Sequence, residues 1–368
     1  MILGVLKDDD DRVALTPDVV QKLTEFHEIW IESGAGASAF YADSLYTDAG
    51  ANVASAQKVL AKANLLVRIK PPSAEVLQQL GANSVVISSF QPFNNPEIVQ
   101  QLSQYPLTVF SMDMLPRTTL AQDKDVLSSM ASMAGYRAVL EAATHLPRYF
   151  PMLTTAAGSI PPAKVLILGA GVAGLQAIAT AKRLGSVVEA FDTRSAVKEE
   201  VQSLGAKFVE VEGALDDKAA GGYAVEQTEE YKQRQQALIA EKSAKADVII
   251  TTALLRGKRS PILITKETVE NMKPGSVIVD LAASGGGNCA LTKDKQTVQH
   301  QGVTIIGNSS LEAKMPMHAS QLYAKNIFNF LKILTKEGEL MVDFENPLID
   351  GSCLVHEGQP HYQVPQQA

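Results

Sequence analysis

Lys164-Val165-Leu166-Ile167-Leu168-Gly169-Ala170-Gly171-Val172-Ala173-Gly174 is the stretch on which the fold turns. A β-branched and leucine run stops at three glycines spaced G-x-G-x-x-G, and an alanine-rich segment follows, so the order is strand, tight turn, helix. Gly169 permits the turn, Gly171 lets backbone approach a pyrophosphate, and Gly174 lets helix and strand pack closely. Unpaired N–H groups and the helix dipole then favour phosphate at the helix start, where Val172 and Ala173 lie. Asp192 closes the next apolar run, about 20 residues on, where a carboxylate accepts from adenosine ribose hydroxyls. That carboxylate would repel a 2′-phosphate and so selects NAD(H); in Asp192-Thr193-Arg194 the arginine is of the type that accommodates such a phosphate. The apolar run 165–181 also approaches the length of a membrane span, but its division by glycines suits a buried βα unit better.

Outward from this turn, residues 165–168, 187–191, 208–211, 248–251, 277–281 and 304–306 read as six strands of a doubly wound sheet. Upstream, 2–5, 29–32, 65–69, 85–89 and 107–110 read as strands alternating with helices, which implies a second parallel sheet covered on both faces. Gly158-Ser159-Ile160-Pro161-Pro162 reads as a connector between the two series. Long helical patterns at 126–145 and 319–334 lead into and out of the second series. The expected fold is α/β, with two Rossmann-like doubly wound domains, a cleft between them and linking helices. Residues 1–126 with 320–368 form one domain and 127–319 the other. The polar tail after about Leu340 reads as surface or linker.

Composition narrows the function. The 368 residues carry 33 Lys+Arg against 40 Asp+Glu with no basic block, which argues against nucleic acid or anionic lipid as a ligand. Two cysteines, Cys289 and Cys353, are too few for a disulfide framework or a thiolate zinc site, so no metal is expected. The start MILGVLKDDDDR has neither the basic region nor the apolar stretch of a secretion signal, and the expected compartment is the cytoplasm, without direct membrane insertion.

Several motifs together carry a family resemblance: Arg12-Val13-Ala14-Leu15-Thr16-Pro17, Lys70-Pro71-Pro72, Ala134-Gly135-Tyr136-Arg137, the glycine turn with Asp192-Thr193-Arg194, and Lys273-Pro274-Gly275 running to Ala282. The chain resembles the alanine dehydrogenase/transhydrogenase family over almost its whole length. Alanine dehydrogenases of that family carry a catalytic His where Gln91 stands and an Asp where Ser284 stands. Amino-acid oxidation moves a proton as well as a hydride and needs a titrating group. Direct hydride transfer between nicotinamide rings needs none, so Gln91 and Ser284 suit the transhydrogenase branch. His27 and His145 remain as other bases, each read as a solvated or capping histidine.

The segment Arg117-Thr118-Thr119-Leu120-Ala121-Gln122-Asp123-Lys124-Asp125-Val126-Leu127-Ser128-Ser129 looks like that branch's signature. The resemblance implies that this loop reaches the nicotinamide end across the cleft. Arg117 would hold the carboxamide, Gln122 would bond the nicotinamide ribose and bridge to a second nucleotide, and Asp125 and Ser128 would position ring and ribose. Many family members have a basic residue at Leu120. Without any ligand, the same segment reads as a helix N-terminus capped by Asp125 or Ser128. Residues 216–231 resemble a mobile loop that closes on nucleotide, with Tyr223 laid on the adenosine side. Thr252, Ala253 and Leu254 after one strand, and Gly286 and Asn288 after the next, would complete the NAD(H) site at the carboxyl edge.

The implied function is the NAD(H)-binding component of a proton-translocating NAD(P) transhydrogenase. Its partners would be an NADP(H)-binding domain or beta subunit and a membrane-spanning subunit, and it would be a homodimer held peripherally on the cytoplasmic face of the inner membrane. An alanine- or saccharopine-dehydrogenase-like oxidoreductase and a non-catalytic NAD-binding regulator are the alternatives.

Overall fold

The computed structural model describes residues 1–211, 228–255 and 257–362. The chain divides into two compact units, Met1–Met130 with Ala313–Ala368, and Ala131–Glu312. The first division falls inside the helix Val126–His145, and the second falls in the short turn Leu311–Lys314 ahead of the helix Pro316–Leu334.

In the first unit β1 (Ile2–Val5), β2 (Glu28–Glu32), β3 (Asn52–Ala54), β4 (Leu65–Val67), β5 (Val85–Ser88) and β6 (Thr108–Ser111) form a parallel sheet. The order is β3-β2-β1-β4-β5-β6, so the chain reverses its direction of travel between β1 and β4. Two further strands extend the sheet beyond β6: Cys353–His356 runs antiparallel to it, and Gln359–Pro360 pairs outside that. The linker expectation for the tail is therefore corrected. Asn346 accepts from Leu348 N at 3.0 Å and starts the helix Pro347–Ser352. Leu348, Ile349, Cys353, Leu354 and Val355 are buried. These apolar residues sit in two short clusters inside a polar stretch, and averaging over the tail hides them.

The second unit begins with a small hairpin, β7 (Leu153–Thr155) and β8 (Gly158–Ile160), where the sequence suggests only a connector. Its main sheet comprises β9 (Lys164–Leu168), β10 (Val187–Phe191), β11 (Lys207–Val209), β12 (Val248–Thr251), β13 (Val277–Asp280), β14 (Gln296–His300) and β15 (Val303–Gly307). The order is β11-β10-β9-β12-β13-β15-β14, with only β14 antiparallel. The β14 strand escapes a hydrophobicity reading because it is a polar edge strand.

Strand alternation builds two cores. Val165, Ile167, Val188, Val248, Ile250 and Val279 face one way, onto Ala177 and Ile178 of the helix Val172–Arg183 and Ala138 and Val139 of the long helix. Leu166, Leu168, Ile249, Ile278 and Ile305 face the other way, with Tyr231 and Ile239 of the helix Glu229–Lys245. Each such aliphatic side chain contributes roughly 1.5–3 kcal/mol on burial. Among the described residues no helix is long and apolar enough to cross a membrane; residues 165–181 divide into β9, the glycine turn and a helix.

Candidate dinucleotide site

In the second unit the strand order reverses between β9 and β12, and ligands of open α/β sheets bind at the carboxyl ends beside such a reversal. The glycine turn leaves β9 at that point. Gly169 has φ +98°, and a Cβ there would stand 2.4 Å from Thr252 Oγ1. Thr252 Oγ1 donates to the Gly169 carbonyl at 3.1 Å and so ties the turn to the end of β12. At Gly174 a Cβ would fall 1.9 Å from the Gly169 carbonyl oxygen. Gly171 differs, since the nearest atom to its missing Cβ is Arg194 Nη2 at 3.8 Å. Backbone is thus accessible at the second glycine and packed at the first and third, with Val172 exposed at the helix start.

Asp192 reaches back onto the turn. Its Oδ2 accepts from Ala170 N at 2.7 Å and from Arg194 Nη2 at 2.9 Å, while Oδ1 accepts from Arg194 N and Arg194 Nε, each at 2.9 Å. Four donors occupy the carboxylate, and a ribose hydroxyl gains access only where the Arg194 guanidinium gives way. Burial, then the nearby Asp192 charge, pushes the Tyr231 hydroxyl up. Tyr231 itself is buried in the helix that Thr228 caps at 3.2 Å, so the end of the 216–231 loop expectation is corrected to helix. The rest of that loop through 227, Tyr223 included, lies outside the described residues.

A second knot holds the ends of β12 and β13. Asp280 is fully buried; its Oδ1 accepts from Thr251 Oγ1 at 2.9 Å and Ala282 N at 3.0 Å. Its Oδ2 accepts from Asn288 N at 2.8 Å, Cys289 N at 3.0 Å and Thr292 Oγ1 at 2.7 Å. The Asn288 side chain accepts from Ala253 N at 2.9 Å and donates to the Ala253 and Pro261 carbonyls at 2.9 and 2.8 Å. Its polar atoms are spent within the chain, so Asn288 shapes the loops rather than presenting an amide outward. Gly286 and Gly287 have φ +99° and +81°, while Ser284 and Leu254 are exposed. Sequence reading quotes Asp280 only as part of a motif; its buried acid at a strand end is the signal that it organises a loop.

In the first unit, Arg117 and Gln122 are exposed on the segment ahead of the long helix. Asp125 caps that helix: Oδ1 accepts from Ser128 N at 2.9 Å and Oδ2 from Ser128 Oγ at 2.6 Å. Gln91 is exposed at φ +51°, a left-handed conformation that marks a tight turn after β5. His145 Nδ1 lies 2.9 Å from the Glu141 carbonyl at the helix end, in a capping position. His27 is buried, which corrects the solvated reading; burial, and then the N-terminal ammonium, lowers it to about 4.

A charged network that sequence reading misses surrounds two of the family motifs. Asp10 Oδ2 receives Arg12 Nη2 at 2.6 Å and Lys70 Nζ at 3.1 Å. Burial pushes the Asp10 carboxyl up, but the Arg12 bond and charge outweigh it and bring it to about 2. Asp8 accepts from Ile69 N and Lys70 N at 3.1 and 3.0 Å, and its burial raises it. The acidic run 8–11 beside Arg12 was the available signal. Burial pushes the Cys289 and Cys353 thiols up to about 11 and about 12, which leaves neither a ready nucleophile.

Residues 6–134 match the family described as Alanine dehydrogenase/PNT, N-terminal domain, and residues 138–363 match its C-terminal domain. The chain belongs to the alanine dehydrogenase/PNT family. Within this family it is 42% identical over 360 residues to an NAD(P) transhydrogenase subunit alpha chain of Rhodospirillum rubrum, covering 95% of this chain and 94% of that one. The solved transhydrogenase from Sinorhizobium meliloti superposes with a TM-score of 0.89 at 40% identity, over 98% of this chain and 100% of that one. A solved L-alanine dehydrogenase superposes at 0.81 with 26% identity, over 98% and 96%. The fold is common to both branches, and sequence identity is higher toward the transhydrogenases.

Proposed function

We propose that this chain is the NAD(H)-binding component of an NAD(P) transhydrogenase. The observation that carries the reading is the built dinucleotide turn, with Asp192 on it, in a chain whose acid/base positions are filled by Gln91 and Ser284. Kinship with a transhydrogenase alpha subunit over nearly its full length supports the same branch. In the reaction, hydride leaves C4 of one nicotinamide for C4 of the other, so one ring is oxidised, the other is reduced and no proton is exchanged.

The residues divide the work. Gly169, Gly171 and Gly174, with Val172 and Ala173, hold the pyrophosphate at the helix start. Asp192 takes the adenosine ribose once Arg194 swings aside, and Thr193 and Arg194 line the adenosine side. Thr252, Ala253, Leu254 and Gly286 carry the nicotinamide half, on loops that Asn288 and Asp280 keep in place. Arg117 and Gln122 contribute fixed donors without a competing acid or base. Asp125 and Ser128, paired with each other, set the start of the helix that follows. Tyr223 belongs to the closing loop.

NADP(H) is carried by a partner domain, and a membrane-spanning subunit couples transfer to proton translocation. The chain works as a homodimer on the cytoplasmic face of the membrane, through those partners. The test mixes it with an NADP(H)-binding transhydrogenase domain and follows reduction of an NAD analogue by NADPH. Turnover is expected, together with no NADH formation from NAD and L-alanine or saccharopine. Amino-acid oxidation without transhydrogenation would transfer the chain to the dehydrogenase branch, and NADH binding without either activity would make it a regulator.

A further inference from the structure

The loop that carries Arg117 and Gln122 has an anchor outside itself. Between Thr119 and Lys124 the chain makes a short 3-10 helix, with Ala121 buried beneath it and Gln122 exposed. The Asp123 carbonyl, next to Gln122, takes two side-chain donors from the helix Pro316–Leu334: Asn326 Nδ2 at 2.9 Å and Asn329 Nδ2 at 3.1 Å. Residues three apart on a helix share a face, so the two amides grip one oxygen together. From within the loop, Lys124 Nζ closes onto the Leu120 carbonyl at 3.2 Å.

Asn326 is the informative member. It is 5% exposed, and among the described residues its Oδ1 has no hydrogen-bond partner. Its helix neighbours Ile327, Phe330 and Leu331 are buried and apolar. A leucine at 326 would avoid a buried oxygen without a protein partner, so packing alone does not account for an amide there. The orientation of the amide follows from its partner, because a carbonyl can only accept and the nitrogen must face Asp123. Half-buried Asn329 completes the pair from the solvent side.

We propose that Asn326 and Asn329 are positioning residues that hold the Asp123 carbonyl and thereby fix the loop from which Gln122 and Arg117 act. They act through the loop and touch no reacting atom. The proposal rests on the transhydrogenase reading for its consequence in rate, and on the hydrogen bonds alone for the anchoring.

The experiment compares the full chain with Asn326→Leu, Asn329→Ala and the double variant. Asn326→Leu removes the donor together with the unpartnered acceptor, so its melting temperature should hold or rise. Amides of residues 118–125 should nevertheless exchange at least about tenfold faster than in the parent, while the β1 and β5 amides keep their protection. In complex with the NADP(H)-binding domain, hydride transfer should fall by up to about 100-fold, because misplacement on the order of 1 Å is enough for that, with NADH and partner affinities unchanged. If Asn326→Leu fails to fold, Asn329→Ala, made at the half-buried member of the pair, reports the same exchange. Unchanged loop exchange in the double variant overturns the anchoring whatever the activity, and so does a loss of protection spread evenly with a fallen melting temperature. Selective loop exchange in a chain whose parent shows no hydride transfer supports the anchoring and overturns the transhydrogenase reading.

Discussion

Replacing Gly135 by alanine tests how the dinucleotide turn is held. Gly135 lies mid-way along the helix Val126–His145, an interior position where Gly→Ala ordinarily stabilises by about 1 kcal/mol. Here a Cβ would stand 2.0 Å from the Ala173 carbonyl oxygen, 2.8 Å from its carbon and 3.0 Å from its Cα. Contacts under 3.0 Å essentially never occur for a Cβ, so the helices must part by at least 1.0 Å. The obstacle is backbone, which has no rotamer into which it can retreat. Overpacking of this kind costs about 1–3 kcal/mol, which offsets the helix gain and leaves the variant up to about 2 kcal/mol less stable. Ala173 belongs to the first turn of the helix that Gly171 caps, so the displacement falls on the N–H groups offered to phosphate. Loss of one charge-assisted bond, about 1.5–3 kcal/mol, weakens NADH binding by roughly 10- to 100-fold. Calorimetric titration with NADH, beside a thermal melt, reads both quantities. A Gly135→Ala protein that melts higher and binds NADH as the parent does would refute this account and reduce Gly135 to an ordinary helix position.

Asp192→Asn should weaken NADH by about 1–2 kcal/mol and NADPH by less, since the carboxylate favours a ribose hydroxyl and repels a 2′-phosphate; paired titrations showing equal losses would dispose of the selectivity argument. Asp280→Asn turns an acceptor of five bonds into a group that must donate at one end, and the denaturant midpoint should drop by the equivalent of about 3 kcal/mol or more; a shift under about 1 kcal/mol would count against the knot. His27 titrates near 6.5 unfolded and is lowered to about 4 when folded, so the unfolded chain binds the extra proton between those values. Its contribution is present above pH 6.5 and lost as pH falls toward 4, and His27→Gln should flatten that acid limb in urea midpoints measured across the window; an unaltered slope would assign the limb to other groups.

Much of the fold is legible from local chemistry. The β9 run, the glycine turn and the alanine-rich helix declare themselves because each residue type has one low-energy use there. The site is legible only as far as single residues carry it. Asp192 can be placed from its spacing, but the four donors on its carboxylate depend on Arg194 folding back, which no spacing reveals. Asp125 and Ser128 suggest both ligand contacts and a cap, and the cap is what their mutual bonds form. The Asn326 grip joins positions 203 apart in sequence, and Asp8 meets Ile69 across 61. Contacts at such separations leave no periodic trace in a single chain. β14 and the strand Cys353–His356 are missed for opposite reasons, the first because an edge strand is polar and the second because its apolar core is diluted by a polar tail.

That last strand has a consequence for how the polypeptide comes together during synthesis. The first unit is interrupted by the whole of the second, and the β6 edge receives its neighbour only when Cys353–His356 leaves the ribosome. Domains generally fold as units in the order in which they emerge, so the inserted unit has all its strands before the outer one is complete. Until then β6 presents unpaired N–H and C=O groups, the kind of edge that recruits foreign strands. Compaction of the insert shortens the path between Met130 and Ala313 and lowers the entropy cost of closing the outer unit. Destabilising the inner sheet would therefore show first as aggregation of the outer one in pulse-labelled nascent chains.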